Sequence, residues 1–184
     1  MKPSRFAIAI ILGPLSLGAF TLQAQNQQPH MPMPRQTSDM SAMVPAPAEA
    51  LKITFGDKSA TWTVATLAAL PHVSVTVHNE HTKADETYSG VSLFALLAPL
   101  GVSDHPRGKD LRLYVVAEGS DLYEVVYSIG EITPEVSSST VIVADTENGK
   151  ALAGDGPMKL IATGEKRPAR WVRSLVAIKV FAAE

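Results

Sequence analysis

The sequence predicts a mixed α+β domain in which strands dominate and the helices are short. Three observations support this fold class. Most apolar segments from Leu51 onward alternate with polar residues, as half-buried strands do. The helical patterns last only one or two turns before a proline or a glycine. The connections suit hairpins better than a regular strand–helix–strand series, so we expect one core of about 130 residues.

The 184-residue chain divides into three segments. Residues 1–24 begin with Lys2 and Arg5 and continue as an almost uncharged apolar run, which is the pattern of a secretory signal peptide. Residues 25–50 are rich in Gln, Pro, Met and Ala without an apolar period, which predicts a disordered tether. Residues 51–184 form the domain. We therefore expect a periplasmic or secreted protein with no membrane association after cleavage; an uncleaved N-terminal anchor is the alternative.

Alternation and turn residues place the elements of the first half of the domain. Two alternating segments flank Gly56-Asp57, which predicts a hairpin. Thr63 is placed to cap a short helix that ends before Pro71, and Ser92 is placed to cap a second helix that ends near Pro99. The strands expected in this half are Leu51–Phe55, Ala60–Thr63, Val73–Val77 and Thr87–Val91.

The second half of the domain follows the same logic. Gly119-Ser120 predicts the turn of a second hairpin. Ser128 and Glu131 have the spacing of a capping box, which indicates one helical turn. Asn148-Gly149 predicts a tight turn between strands. The strands expected in this half are Leu111–Ala117, Leu122–Tyr127, Val141–Ala144, Met158–Ala162 and Leu175–Phe181.

Composition and charge exclude several kinds of chemistry. The chain has no cysteine, which excludes disulfides, zinc–thiolate sites, iron–sulfur clusters and cysteine nucleophiles. Residues 51–149 carry 6 basic and 13 acidic side chains, whereas residues 150–184 carry 7 basic and 3 acidic ones. A local basic patch on an acidic body favours a small-anion site over nucleic acid, which would need a broad basic face.

Two groups of side chains could bind a metal. Three histidines lie around one predicted strand end, an incomplete ligand set that is more typical of solvated loop histidines; they are His72, His78 and His81. The tether offers soft ligands for Cu(I), which makes copper handling a weaker alternative function. A linker with incidental methionines is the simpler interpretation, because ordering a flexible chain costs entropy. The tether ligands are His30, Met31, Met33, Met40 and Met43.

The most basic segment of the domain follows the strand that ends at Thr163-Gly164. Its loop carries Lys166, Arg167 and Arg170, and Trp171 and Arg173 come directly after it. Guanidinium groups spaced along such a turn can converge on an oxyanion or a phosphate. The alternative is an ordinary surface loop whose arginines form ion pairs with acidic neighbours.

The order and spacing of several motifs resemble the sulfite-oxidase-like molybdopterin-binding domain. The segment Gly156–Val180 resembles the closing segment of that domain, and Tyr88–Leu97 resembles its strand-to-helix unit with the pattern G-V-x-L-x-x-L-L. The segment Ser120–Tyr123 resembles its Asp-Gly-Tyr hairpin. The resemblance covers about residues 60–181. It implies a mixed α+β fold built on a twisted, barrel-like sheet.

The resemblance also implies a set of candidate cofactor-binding residues. In that family, basic residues near the last strand help to hold the pterin phosphate and an oxyanion substrate. Residues of the hairpin, and the residue beside the expected molybdenum position, belong to the same candidate set. The candidates are Lys159, Arg170, Arg173, His78, Asp121 and Tyr123.

This sequence departs from the family at the position on which its chemistry depends. Catalytic members bind molybdenum through one cysteine just after the strand that here reads Val73–Val77, and this chain has His78-Asn79 there. We therefore expect an exported, non-catalytic binding module for a pterin or a small anion, with molybdopterin as the cofactor that the resemblance implies. The alternative is a molybdenum-cofactor oxidoreductase with an unusual ligand set, or a subunit of such an oxidoreductase. A subunit would have a protein partner in the periplasm.

Overall fold

The computed structural model describes residues 50–80 and 82–184. Within these ranges the chain forms ten strands and three short α-helices. The strands are β1 Ala50–Phe55, β2 Lys58–Thr63, β3 Val73–Asn79, β4 Ala84–Ser92, β5 Leu113–Gly119, β6 Glu124–Ser128, β7 Val141–Glu147, β8 Lys150–Ala151, β9 Lys159–Ala162 and β10 Leu175–Ala182. The helices are α1 Val64–Leu67, α2 Leu93–Leu97 and α3 Ile129–Ile132, with 3-10 turns at Ala98–Leu100, Gly108–Arg112 and Pro168–Arg170. The signal-peptide prediction and almost all of the predicted tether lie outside the described residues.

The strands form two five-stranded sheets that stay open. The first has the order β2-β1-β10-β5-β6, in which only β1 and β10 run parallel. The second has the order β3-β4-β7-β8. Strand β8 pairs with Thr146 and Glu147 of β7, and strand β9 pairs with Val141–Ala144 of the same strand. The expected α+β class is therefore confirmed. The barrel-like closure is not found in the described residues, where each sheet keeps its edges.

The buried side chains form a large core and a smaller second one. The large core draws aliphatic residues from both sheets and from α2, including Leu51, Leu96 and Ile178. The second core is confined to one face of the second sheet, and Trp171 packs against both. The buried members of this second core are Val75, Tyr88, Ile142, Ala144 and Ile161. That face also carries the cleft described below.

Two of the three predicted helix caps form as the sequence indicates. Thr63 and Thr66 make a reciprocal capping box at α1, with the Thr66 amide donating to Thr63 Oγ1 at 3.2 Å. Ser128 and Glu131 do the same at α3, where the Ser128 amide donates to Glu131 Oε2 at 2.8 Å. Ser92 stands at the N-cap of α2, but its side chain makes no capping hydrogen bond. The α2 helix therefore depends on its buried leucines.

A β-bulge interrupts the pairing of β4 with β7. Ser89 pairs with Thr146 and Gly90 pairs with Ala144, so Asp145 is an extra residue on β7. The two backbones approach so closely here that a Cβ added to Gly90 would lie 2.1 Å from the Val143 carbonyl oxygen. A β-bulge changes which face the following side chains occupy. The residues of β7 beyond Asp145 are therefore turned over relative to a regular strand.

The β5–β6 turn contains a strained residue, Leu122. Its φ is +66° and its side chain is 78% exposed, so it bears the steric cost of the left-handed conformation and packs little. We expect Leu122→Gly to raise the free energy of unfolding by about 0.5 kcal/mol, because glycine tolerates this φ. Leu122→Ala is the control: it keeps a Cβ and should give no gain. If Leu122→Gly and Leu122→Ala changed the free energy of unfolding in urea equally, backbone strain at Leu122 would be contradicted.

Candidate functional site

A cleft of about 300 Å³ opens over the second sheet, beside the small core. It mixes aromatic and charged side chains, with three carboxylates against two cations. Its lining consists of Asn79, Glu86, Tyr88, Glu147, Asp155, Lys159, Pro168, Trp171 and Arg173. Six elements or loops, from β3 to the segment between β9 and β10, therefore meet at one place.

Lys159 forms the floor of this cleft. Its side chain is only 8% exposed, and Nζ donates to Asp155 Oδ2 at 2.6 Å and to the Tyr88 hydroxyl at 3.2 Å. The same ammonium lies 4.8 Å from the ring centroid of Tyr88 and 5.4 Å from that of Trp171. A buried cation needs such partners to offset its lost hydration. Lys159 is therefore held in place by groups of this chain.

Two aromatic rings make the rigid wall of the cleft. Tyr88 and Trp171 meet edge to face with their centroids 5.7 Å apart, and the Trp171 indole donates to the Ala162 carbonyl at 2.9 Å. The Tyr88 hydroxyl donates to Glu86 Oε2 at 2.9 Å. Burial, together with Glu86 and Glu147, raises the pKa of Tyr88 well above its usual value. Tyr88 therefore acts as a neutral hydrogen-bonding group.

The β-bulge at Asp145 brings Glu147 to this face. Glu147 stands directly opposite Tyr88 in the β4–β7 pairing, so both side chains occupy the same face of the sheet. In a regular strand the period of two would put Glu147 on the face opposite Ala144. The sequence did not single out Glu147, because alternation predicted this strand only to Ala144. A bulge is not visible in a sequence pattern of this length.

At the end of β3 the residue in the cleft is Asn79, and His78 lies on the other face. Asn79 Nδ2 donates to Glu86 Oε1 at 2.6 Å. His78 is exposed and its Nδ1 lies 2.8 Å from Asp85 Oδ1. The signal for Asn79 was present in the sequence, because it continues the alternation of Val75 and Val77. His81 lies outside the described residues.

Arg173 is the other cation of the cleft, and it is loosely held. Its side chain is 68% exposed, and its Nε lies 3.9 Å from Asp155 Oδ1, a carboxylate that Lys159 already engages. An ion pair of this length at the surface contributes little to stability. The Arg173 guanidinium therefore remains available to a ligand.

Arg170 has a different environment, away from the residues that line the cleft. It pairs with Glu131 at 2.9 Å and with Glu165, and its guanidinium lies 4.5 Å from the ring centroid of Tyr127. Partial burial would lower the pKa of Arg170, but the hydrogen bonds to Glu131 and Glu165 outweigh it and raise that pKa. The Tyr127 hydroxyl donates to the Arg170 carbonyl at 2.7 Å. These contacts tie the 165–170 loop to β6 and α3.

Asp121 and Tyr123 belong to the β5–β6 turn and support the same loop. Asp121 Oδ1 accepts from the Tyr123 amide at 3.1 Å, and the Tyr123 hydroxyl donates to the Ala169 carbonyl. Of the six candidate residues, the structure thus brings Lys159 and Arg173 together in the cleft. Arg170, Asp121 and Tyr123 lie at the neighbouring loop, and His78 lies on the opposite face of the second sheet.

The bulge itself is held by His72. The imidazole contacts the Leu70 carbonyl through Nδ1 at 2.8 Å and Asp145 Oδ2 through Nε2 at 3.0 Å. Both partners are acceptors, so the doubly protonated imidazolium is the form that satisfies both contacts. The hydrogen bond to Asp145 is the largest cause of the raised pKa of His72. His72 therefore links the α1–β3 connection to the residue that redirects β7.

This arrangement predicts a pH-dependent stability. Because the folded-state pKa of His72 is raised above its ordinary value of 6.5, its contribution is fully present below pH 6.5 and is lost as the pH rises through the folded-state value. We expect the stability difference between the wild type and His72→Gln to be largest in acid and to shrink in alkali. Urea unfolding of both proteins across this range tests it. If the stability difference between the wild type and His72→Gln did not change with pH, a protonated His72 in the folded protein would be contradicted.

Residues 50–80 and 82–184 lack two further kinds of feature. These residues contain no group of three or more His, Asp or Glu placed to bind a metal ion. They also contain no helix with the length and hydropathy to cross a membrane.

The chain resembles a solved structure in fold. No family model matches it, and no curated protein does. A chain of the sulfane dehydrogenase SoxCD from Paracoccus pantotrophus superposes with a TM-score of 0.56 at 22% sequence identity. The match covers 72% of this chain and 38% of that one, so this chain spans well under half of the dehydrogenase chain. At this identity the similarity shows a shared fold.

Proposed function

We propose that this domain is a non-catalytic binding module that holds a small ligand in the cleft beside Lys159, with an anionic group of the ligand at Arg173. The observation that carries the proposal is the contrast between these two cations. Lys159 is buried and fixed by Asp155, Tyr88 and Trp171, whereas the Arg173 guanidinium is exposed at the same cleft. A fixed wall with one available charged group is typical of a recognition site.

The donor set of the cleft does not fit a molybdenum cofactor. The chain has no cysteine, and the side chain at the end of β3 that enters the cleft is the amide of Asn79. The other acceptors are the carboxylates of Glu86, Glu147 and Asp155, which are hard oxygen ligands where the soft metal–thiolate bond would be needed. A binding role therefore accounts for these residues better than oxidoreductase chemistry.

Phosphate is the probe for the anion-binding part of the proposal. Inorganic phosphate should raise the unfolding temperature of the full chain, and the rise should grow with the logarithm of phosphate concentration. Arg173→Gln should abolish most of this rise. Lys166→Gln is the matched control, because Lys166 is an exposed cation of the neighbouring loop with no ion pair to any described residue. Equal phosphate responses in both variants would contradict an anion site at Arg173.

We also propose export, which rests on the signal-peptide pattern of residues 1–24. The test is the N-terminal residue of the protein recovered from its native cell. Cleavage near Gln25 would agree with export to the periplasm or medium. An intact N-terminus in a cytosolic fraction would contradict it.

A further inference from the structure

We infer that the ligand of this cleft is a zwitterion of the α-amino-acid class, with its carboxylate at Arg173 and its ammonium at Glu147. The inference rests on the proposed binding function and adds the chemical class of the ligand. It depends on a second unsatisfied charge in the cleft, opposite in sign to Arg173.

Glu147 supplies that second charge. The other two carboxylates of the cleft are engaged: Asp155 accepts from Lys159 at 2.6 Å, and Glu86 accepts from Asn79 and Tyr88 at 2.6 and 2.9 Å. The half-buried Glu147 carboxylate makes no hydrogen bond or ion pair with any described residue. A partly desolvated charge without a partner is costly to the folded protein. A ligand cation would relieve this cost.

An irregularity of β7, the bulge at Asp145, also determines where Glu147 lies. The extra residue Asp145 turns Glu147 toward Tyr88, and two features maintain that bulge: the contact of His72 with Asp145 and the absence of a side chain at Gly90. Bulges beside functional sites commonly redirect one side chain. Here the side chain that is redirected is the free carboxylate.

A zwitterion satisfies both free charges, whereas a simple anion does not. A simple anion at Arg173 would leave the Glu147 carboxylate unpaired. A simple cation at Glu147 would leave Arg173 with only its long contact to Asp155. Trp171 and Pro168 provide an apolar wall for the rest of the ligand. The volume of about 300 Å³ is at the lower end of the range for ligand pockets, which suits one amino acid better than a nucleotide.

Three matched probes test the inference by isothermal titration of the full chain. L-Phenylalanine carries both charges, 3-phenylpropionate lacks the ammonium and 2-phenylethylamine lacks the carboxylate. We expect L-phenylalanine to bind at least about tenfold more tightly than either half-analogue. Glu147→Gln should weaken L-phenylalanine by a similar factor and leave 3-phenylpropionate no weaker. Asp57→Asn, an acid-to-amide change in the β1–β2 turn, is the control and should change neither.

The outcomes separate the ligand class from the binding function. If L-phenylalanine binds no more tightly than 3-phenylpropionate, or if Glu147→Gln leaves its affinity unchanged, the zwitterion assignment is wrong. A phosphate response that depends on Arg173 would then leave the proposed function standing. If neither phosphate nor any of the three probes binds, both the assignment and the proposed function fail. The half-analogue comparison uses the wild type, so it does not depend on the folding of a variant.

Discussion

Gly90→Ala is expected to lower the free energy of unfolding by about 3 kcal/mol or more, and this is the largest single effect that the structure predicts. An added Cβ would lie 2.1 Å from the Val143 carbonyl oxygen and 2.4 Å from Ala144 Cα. Both obstacles are backbone atoms of β7, so relief requires the strands to separate at the bulge. Urea unfolding followed by circular dichroism measures the loss.

Gly130→Ala is the matched control for this substitution. Gly130 lies inside α3, and an added Cβ would make only ordinary contacts, the nearest at 3.5 Å to Val136. Alanine is also favoured over glycine within a helix by up to about 1 kcal/mol. We therefore expect this variant to be neutral or more stable. Comparable losses in the two variants would show that the β4–β7 approach is not as tight as described.

Asp155→Asn is expected to cost about 2 kcal/mol, because it removes the charged partner of a buried ammonium. Lys159 would keep only neutral partners, namely the new amide oxygen, the Tyr88 hydroxyl and the two aromatic rings, to offset its lost hydration. The expected loss is below that of a fully buried pair because 21% of the Asp155 side chain is exposed to solvent. Urea unfolding measures it, and fluorescence of Trp171 in a Trp62→Phe background reports any change in the cleft wall.

Glu80→Gln supplies the comparison for the ion pair. Lys83 and Glu80 also lie 2.6 Å apart and close in sequence, but both side chains are exposed. Breaking such a pair should cost less than about 0.5 kcal/mol. The two substitutions thus differ chiefly in burial. If Asp155→Asn cost no more than Glu80→Gln, Lys159 would not need its partner, and the fixed floor of the cleft would be in doubt.

Local signals predicted most of the secondary structure. The hairpin at Gly56-Asp57, the capping boxes at Thr63 and Ser128, and the tight turn at Asn148-Gly149 all form where the residues indicated. Each depends on residues within a few positions of one another. Such features are set by backbone preferences and short-range hydrogen bonds, which a sequence displays directly.

The arrangement of the candidate site depended on long-range contacts that no local pattern displays. Arg170 and Arg173 are three positions apart in one basic segment, yet one is bound by Glu131 and Glu165 and the other is exposed at the cleft. Glu147 enters the site only because the backbone of β7 is bulged. The basic character of residues 150–184 is likewise offset by acidic partners contributed from the rest of the domain, such as Glu118 at Lys179.

The β3 end illustrates an inference that the sequence did permit. The resemblance drew attention to His78, which stands beside the position of the family's metal ligand. The period of two, applied to Val75 and Val77, points instead to Asn79 as the side chain on the small-core face. Strand alternation was the more reliable guide here, because it follows from backbone geometry and does not depend on an aligned motif.

The binding role without molybdenum is tested most directly on protein purified from its native compartment. Molybdenum is quantified by elemental mass spectrometry, and organic molecules released on denaturation are identified by mass spectrometry. We expect far less than one molybdenum atom per chain, together with a small charged molecule whose retention is lost in Arg173→Gln. One molybdenum atom and one pterin per chain would contradict a non-catalytic binding module and would favour an oxidoreductase with an unusual ligand set.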